Sequence, residues 1–258
     1  MIVIKTAAEV DAIRASGMIL REVFAHLEDF IRPGIITEDI NRLAEETIRL
    51  RGAIPSFLNY GGGYGIPPFP AAACISVNDE IIHGIPSERR LESGDVVSVD
   101  LGACLDGWHS DACRTYAVGD CSADSLNLIA TAEKAFCAGF AKVKPGNRLG
   151  DMQAAVYAEI VAGGCDVVRN FSGHGIGRSL HEDPVIYNYG QSGRGVKFVP
   201  GMVFCLEPMI AAGSADYYFM PDGWTVRTRD GSMAAHYENT IAVTETGAEL
   251  LTCGEDCA

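Results

Sequence analysis

The amino-acid sequence predicts an α+β fold made of two pseudo-symmetric αα–β halves, about 1–120 and 121–258, with helices covering a curved, mainly antiparallel sheet. One observation is that two stretches with helical apolar spacing are followed by strand-like stretches in each half. The other is a weak internal repeat, in which three short motifs recur in the same order. These pairs are Arg32-Pro33-Gly34 with Lys144-Pro145-Gly146, His83-Gly84-Ile85 with His174-Gly175-Ile176, and Gly94…Asp100 with Gly201…Glu207.

The first half begins with two predicted helices. Thr6 and Glu9 have the spacing of a capping box, and apolar residues at intervals of three and four continue to Ile31. Pro33-Gly34 ends this helix, and Thr37 opens a second one that runs to Leu50.

The segment 53–70 is rich in Gly and Pro and is predicted to be irregular. It is either a simple connector or, through Tyr60, Tyr64 and Phe69, the rim of a pocket. Strands are expected at 72–77 and 95–100, and a hairpin turning at Asp106-Gly107 connects Asp100 to Asp111. Helices at 123–143 and 149–162 follow, and short strands occupy the remainder to Thr252.

Composition excludes several classes of protein. The 258 residues are 48% hydrophobic and 21% charged, which indicates a chain that buries a core rather than a disordered one. The formal charge of −14 argues against a general nucleic-acid-binding face. No apolar stretch reaches the ~18–20 residues of a membrane span, and the N-terminus lacks the features of a signal peptide.

Nine cysteines occur at irregular spacing and without a C-x-x-C motif. This pattern argues against a disulfide framework or a structural zinc site, and it favours reduced thiols and a cytoplasmic location.

Four carboxylates are candidate metal ligands because each lies in or beside a predicted apolar strand. A buried, unpaired carboxylate is costly, and no basic residue is expected to face these four. They are either solvent-facing acids on half-exposed strands or, with one neutral imidazole, ligands of two divalent ions such as Mn, Fe, Co or Zn. The five candidates are Asp100, Asp111, His174, Glu207 and Glu238.

A pair of ions ~3.5–4 Å apart lowers the pKa of a bridging water and leaves positions for substrate, so the predicted chemistry is hydrolysis. His83 and His181 are further candidates, and for each the alternative is an ordinary packed or surface histidine. The position of His181, seven residues after His174 in a Gly-rich loop, favours a functional role.

The combined motifs resemble those of the type I methionine aminopeptidase family over essentially the whole chain. The resemblance rests on the spacing of eleven positions between Asp100 and Asp111 and on a set of short motifs. These are His83-Gly-Ile-Pro86, His174-Gly-Ile-Gly177, His181-Glu182, Glu207-Pro208, Pro221-Asp-Gly-Trp-Thr-Val226 and Tyr237-Glu238. It implies the pita-bread fold as a single catalytic domain over 1–258, in the bacterial form.

The resemblance also implies a role for each matching residue. Asp100 would bind one of two metal ions, His174 and Glu207 the other, and Asp111 and Glu238 both. A hydroxide bridging the ions would attack the scissile carbonyl, with Glu207 as a proton shuttle. His181 would stabilise the tetrahedral intermediate and His83 would position the peptide.

The implied methionine pocket contains Phe69, Cys74 and Trp224, with Leu180 where many relatives carry an aromatic residue. The implied substrates are N-terminal methionine peptides and nascent chains with a small second residue. A monomer is implied, whereas the charge of −14 does not favour docking to the ribosome.

Two other functions remain as alternatives. One is a pita-bread aminopeptidase that cleaves X-Pro bonds, and the other is a non-catalytic pita-bread binding protein. A binding protein of that kind would hold no stoichiometric metal, whereas both enzymes would.

Overall fold

The computed structural model describes residues 1–63 and 65–253. Within these residues the chain forms four helices and fifteen short or medium strands. The helices are α1 (Ala7–Phe30), α2 (Thr37–Leu50), α3 (Ala123–Phe140) and α4 (Leu149–Ala162). The strands of the first half are β1 (Ile54–Pro55), β2 (Ala73–Val77), β3 (Glu80–Ile82), β4 (Val96–Leu105) and β5 (Trp108–Ala117).

The second half contains ten strands. They are β6 (Asp166–Val167), β7 (Gly173–Gly175), β8 (Glu182–Ile186), β9 (Val203–Leu206), β10 (Met209–Ala211), β11 (Tyr217–Phe219), β12 (Val226–Thr228), β13 (Ala234–His236), β14 (Glu238–Val243) and β15 (Ala248–Leu250). The predicted α+β class is therefore confirmed, and the helices and strands follow the predicted order except that the two-residue β1 lies in the segment 53–70, which was predicted to be irregular.

The helix boundaries follow the local signals in the sequence. At the start of α1 the Glu9 amide donates to Thr6 Oγ1, and the Thr6 amide donates to Glu9 Oε2 at 2.8 Å, which is the predicted capping box. Helix α3 ends at Phe140, three residues before the predicted end at 143. The chain tightens there, because the Lys142 and Val143 amides each donate to the carbonyl three residues earlier.

The main sheet has nine strands, and its pairings are antiparallel. The strand order is β1-β4-β5-β14-β9-β7-β8, with β2 also paired to β4 and β15 to β14. The β4–β5 hairpin turns at Asp106 and Gly107 as predicted, and both have positive φ, as a tight Asp-Gly turn requires. The central pairing of β5 with β14 joins strands of the first half to strands of the second.

Each pair of helices packs on its own part of this sheet. Side chains of α1 and α2 share a buried cluster with Val99 and Leu101 of β4. Side chains of α3 and α4 share a second cluster with Phe204 and Leu206 of β9. Side chains along a strand point alternately to its two faces. The residues between Val99 and Leu101 and between Phe204 and Leu206, and those directly after Leu101 and Leu206, therefore point to the face of the sheet away from the helices.

An ion pair attaches the segment before α1 to the first residue of β8. Lys5 Nζ donates to Glu182 Oε2 at 2.5 Å, and the two side chains are only 3% and 14% exposed. The Lys5 amide also donates to the Gly201 carbonyl at 2.7 Å. The N-terminal segment is thereby fixed beside His181, the neighbour of Glu182.

Two expectations from composition can be compared with the structure. No helix in the described part of the chain is long and apolar enough to cross a membrane. Cys253, however, is disulfide-bonded, so the expectation of reduced thiols is wrong at this position. Seven other described cysteines are free thiols, and Cys257 lies outside the described residues.

Candidate metal centre

Strand register brings three of the predicted carboxylates together on the face opposite the helices. Asp100 of β4 and Glu238 of β14 are both direct neighbours of Cys113 in β5, one on each side. Asp111 lies two residues before Cys113 and therefore on the same face. The three carboxylates thus come from three adjacent strands.

His174 and Glu207 approach the same place from the next two strands. Glu207 directly follows β9, which pairs with β14, and His174 lies in β7, which pairs with β9. Nε2 of His174 lies 3.7 Å from Asp111 Oδ2 and 3.6 Å from Glu207 Oε1. Nδ1 of His174 faces the Gly175 carbonyl at 2.9 Å, which leaves Nε2 directed at the carboxylates. The structure therefore brings all five predicted ligands together.

Burial and mutual repulsion set the protonation of the carboxyl groups. Burial raises the pKa of Asp100 to about 7. Burial, followed by repulsion from Glu238 and then Asp100, raises the pKa of Asp111 well above its ordinary value. The pKa values of Glu207 and Glu238 are also raised well above normal, again mainly by burial. These four groups cannot all be ionised without nearby positive charge.

The pKa of the candidate histidine ligand is shifted in the opposite direction. Burial, and secondarily His181, lowers the pKa of His174 to about 3. A neutral imidazole at Nε2 is the form that binds a metal ion.

The donor atoms fit divalent metal ions. Asp100 Oδ1, Asp111 Oδ1 and Glu238 Oε1 are buried without a hydrogen-bond partner. Arg114 in β5 offsets their charge only slightly, because its guanidinium donates to the carbonyls of Cys113 and Glu238 and to Asn239 Oδ1. Two overlapping groups of side chains could hold a metal ion, because the ligand atoms within each group lie within 4.8 Å of one another. They are Asp111–His174–Cys205–Glu238 and Glu207–His236–Glu238. Oxygen donors with imidazole suit Mn, Fe, Co or Zn.

The two other predicted histidines lie beside the carboxylates. The ring centroid of His181 is 4.2 Å from that of His174, and the Tyr60 hydroxyl is 2.5 Å from Nδ1 of His181. The ring of His83 meets Trp224 edge-on with a centroid distance of 6.1 Å. Burial, with a contribution from His181, lowers the pKa of His83 to about 4, and burial also lowers the pKa of His181.

All eleven predicted site residues line one cavity of about 250 Å³. Its apolar part includes Phe69 and Trp224, whose rings meet edge-to-face with centroids 5.4 Å apart. Cys74 belongs to the same wall because it is the cross-strand neighbour of Asp100, and Leu180 is 4% exposed. The cavity therefore combines a polar, acidic end with an apolar end.

Several residues near the site were not predicted from the sequence. The most important is His236, which is 2% exposed and has Nε2 3.6 Å from Glu207 Oε2 and 3.9 Å from Glu238 Oε2. Its position two residues before Glu238 in an extended segment was a usable signal, because such residues share a face. Phe171 also lines the cavity without having been predicted, whereas Tyr60 lines it as one of the candidate rim residues and Tyr64 lies outside the described residues.

Comparisons with known proteins identify related sequences and structures. The sequence profile of metallopeptidase family M24 matches residues 11–245. A methionine aminopeptidase from Clostridium perfringens is 47% identical over 98% of this chain and 99% of its own length. The crystal structure of methionine aminopeptidase from Rickettsia prowazekii superposes with a TM-score of 0.94 at 40% identity, covering 98% of this chain and all of that one.

A more distant relative differs in length. The Xaa-Pro dipeptidase from Bacillus anthracis superposes with a TM-score of 0.75 at 27% identity, and the match covers 97% of this chain but only 62% of that one. The predicted pita-bread fold and the resemblance to methionine aminopeptidases are confirmed by these similarities.

Proposed function

The chain belongs to metallopeptidase family M24, and we propose that it removes N-terminal methionine from peptides and newly made proteins whose second residue is small. The observation that carries this proposal is the meeting of four carboxylates, two of them buried and two half-buried, with a neutral imidazole at one end of an apolar-walled cavity. The similarity to methionine aminopeptidases over nearly the full length supports the same substrate class.

The proposed metal centre takes two divalent ions of Mn, Fe, Co or Zn. Asp100 would hold one ion, His174 and Glu207 the other, and Asp111 and Glu238 would be shared by both. Two divalent cations balance the four negative charges of the ionised carboxylates. Their charge explains how four carboxyl groups with strongly raised pKa values can be ionised at the same time. When bound, the ions supply Lewis acidity and an activated water for hydrolysis.

His181 is proposed to bind the carbonyl oxygen of the scissile bond. If the Tyr60 hydroxyl donates to Nδ1 of His181 across their 2.5 Å separation, the ring hydrogen of the neutral imidazole is on Nε2. Nε2 is then a hydrogen-bond donor for the negative charge that develops on this oxygen in the transition state.

His83 and Glu207 complete the proposed machinery. His83 is half-buried and neutral, and it would position the peptide near the leaving amide nitrogen. Glu207 has a pKa raised well above normal by burial and by neighbouring carboxylates, as suits a group that transfers a proton to that nitrogen.

The apolar end of the cavity is proposed to hold the methionine side chain. Phe69, Cys74, Leu180 and Trp224 present mainly apolar surface that an unbranched thioether can fill. A charged first residue would lose its hydration there without gaining a partner, so it is excluded by the cost of desolvation.

The test is turnover of Met-Ala-Ser, Met-Lys-Ser and Ala-Pro-Ala by chelator-treated protein before and after Mn²⁺ or Co²⁺ is added back. We expect metal-dependent cleavage of Met-Ala-Ser alone. Preferential cleavage of Ala-Pro-Ala would instead indicate the X-Pro activity. Absence of both turnover and stoichiometric metal binding would support the non-catalytic alternative and refute the proposal.

A further inference from the structure

We propose that His236 is a positioning residue that holds the Glu207 carboxylate by donating a hydrogen bond from Nε2 to Oε2. This bond would leave Oε1 of Glu207 for the metal ion shared with His174. The inference rests on the metal centre proposed above and adds a residue that lies outside its five ligands.

The imidazole of His236 is buried and its Nε2 has no hydrogen-bond partner. A buried polar nitrogen without a hydrogen-bond partner is energetically unfavourable, so the presence of one beside a functional centre requires an explanation. The candidate hydrogen-bond partners of Nε2 are Glu207 Oε2, at a distance of 3.6 Å, and Glu238 Oε2, at 3.9 Å.

The backbone around His236 is held firmly. The Thr115 hydroxyl donates to the His236 carbonyl at 2.7 Å and accepts from its amide at 3.0 Å. Cross-strand pairing also sets His236 opposite Met209 in β10. His236 is not among the residues that line the cavity, so it reaches the carboxylates from behind and does not contact substrate.

The two oxygens of Glu207 face different imidazoles. Oε1 lies 3.6 Å from Nε2 of His174, and Oε2 lies 3.6 Å from Nε2 of His236. A neutral imidazole that faces two carboxylate oxygens is stable with its N–H directed at them, since a lone pair there would be repelled. His236 is therefore assigned as a donor rather than as a ligand.

The present gap between Nε2 and Oε2 is longer than a hydrogen bond of ~2.7–3.2 Å. A small rotation of the Glu207 side chain closes it, and contacts of this kind are often long in ligand-free sites. A third metal ion in the gap is disfavoured by charge, because three dications would exceed the four carboxylates available.

The first test compares His236→Leu, which removes the donor, with His236→Gln, which keeps an N–H donor of similar reach. Affinity for Zn²⁺ and Co²⁺ is measured by competition with a chelator, and His26→Leu on the exposed surface of α1 is the matched control. Loss of a carboxylate-orienting partner is expected to weaken binding of one ion by about 10–100-fold. His236→Gln is expected to stay close to the wild type and to recover kcat with little change in KM.

Two results would overturn the proposal. Wild-type affinity and kcat in His236→Leu would show that the contact has no role. Equal loss of metal in the folded Gln and Leu variants would show that an imidazole nitrogen is needed as a direct ligand. A wild-type protein that binds no metal would refute the metal centre itself, which is a separate outcome.

A second measurement needs no variant and applies if His236→Leu does not fold. In ¹⁵N-histidine NMR spectra of the wild type, Nε2 of His236 is expected to keep its proton when Zn²⁺ is added, whereas Nε2 of His174 becomes metal-bound. Loss of the proton from Nε2 of His236 on Zn²⁺ addition would overturn the assignment as donor.

Discussion

The hydroxyl of Tyr60 lies 2.5 Å from Nδ1 of His181, although the two residues are 121 positions apart in the chain. Their rings are tilted by 55° with centroids 5.1 Å apart. The irregular loop before β2 therefore supports the imidazole that we propose to act on the substrate carbonyl. Of the two expectations for this loop, a connector or a pocket rim, the described part at Tyr60 and Phe69 agrees with the rim.

His181→Ala is expected to lower kcat by about 10²–10⁴-fold, because it removes one positioned donor, while metal content stays at the wild-type level. Tyr60→Phe is expected to have a smaller effect, since the imidazole remains and only its orientation is less restricted. Steady-state kinetics and elemental analysis check both. Loss of metal from His181→Ala would show that His181 is a ligand instead.

Asp100→Ala and Glu238→Ala are each expected to abolish hydrolysis together with stoichiometric metal binding, because each removes a charge that balances the ions. Glu245→Ala, which changes an exposed carboxylate away from the cavity, is the control and should retain both properties. Metal content by elemental analysis and turnover of Met-Ala-Ser are the measurements. Normal activity with normal metal content in either site variant would contradict the proposed centre.

Metal affinity is expected to rise as the pH increases through about 7. In the metal-free fold, burial raises the pKa of Asp100 to about 7. Burial also raises the pKa values of Asp111, Glu207 and Glu238 well above their ordinary range. At pH 6 the ions must therefore displace protons. Calorimetry in buffers of different ionisation enthalpy should detect proton release on Zn²⁺ binding, and the absence of release at pH 6 would contradict these pKa directions.

The raised pKa of Asp100 also predicts how the stability of the metal-free protein depends on pH. The folded pKa of Asp100 is above its unfolded value of 3.8, so the folded state retains a proton that the unfolded state loses. Relative to Asp100→Asn, the wild type is therefore expected to lose stability as the pH rises from about 4 to about 7. The comparison with Asp100→Asn is needed because the lowered pKa of His83 acts in the opposite direction over part of this range.

Leu180→Phe is expected to narrow the methionine pocket, since Leu180 is buried in the cavity wall and Phe is larger. Tripeptides that begin with Met, norleucine or Leu are compared by kcat/KM, with Leu180→Met as the volume-conserving control. The wild type should separate Met from norleucine only modestly, because a small change in an apolar pocket is worth ~1–3 kcal/mol. If the Phe variant shows the same order and ratios of kcat/KM for the three tripeptides as the wild type, residue 180 does not limit the width of the pocket.

Lys5→Met is expected to destabilise the fold by about 3–5 kcal/mol, because it leaves Glu182 buried without its partner. The double variant Lys5→Met/Glu182→Gln should recover part of this loss. Arg51→Met, which breaks a solvent-exposed pair with Glu22, is the control and should change the stability much less than Lys5→Met. Free energies of unfolding from denaturant titration provide the comparison, and equal effects of Lys5→Met and Arg51→Met would contradict it.

Much of the fold is encoded in local patterns, which is why it could be predicted. The capping box at Thr6 and Glu9 and the turn at Asp106-Gly107 depend on neighbouring residues only. The alternation of side chains along β4 likewise sets Asp100 on the face away from the helices. The four candidate carboxylates were recognisable because each lies in or beside a predicted apolar strand, and His174 because its His-Gly-Ile motif repeats that of His83.

Contacts between distant segments could not be predicted in this way. The separation of Nε2 of His236 from Glu207 depends on how β13, β10 and the end of β9 are arranged in space. The approach of Tyr60 to His181 and the pairing of Lys5 with Glu182 also join segments more than a hundred residues apart. Such contacts follow from tertiary packing, for which a single sequence gives no periodic signal.

The pairing of β5 with β14 has a consequence for the order of events during synthesis. Asp100 and Asp111 leave the ribosome long before Glu207 and Glu238, because the chain grows from its N-terminus. The first half alone therefore carries two of the proposed carboxylate ligands, and the full set is assembled only when β14 pairs with β5. Binding of the two proposed metal ions is accordingly expected to be a late step, and a chain that lacks its last strands is expected to be inactive.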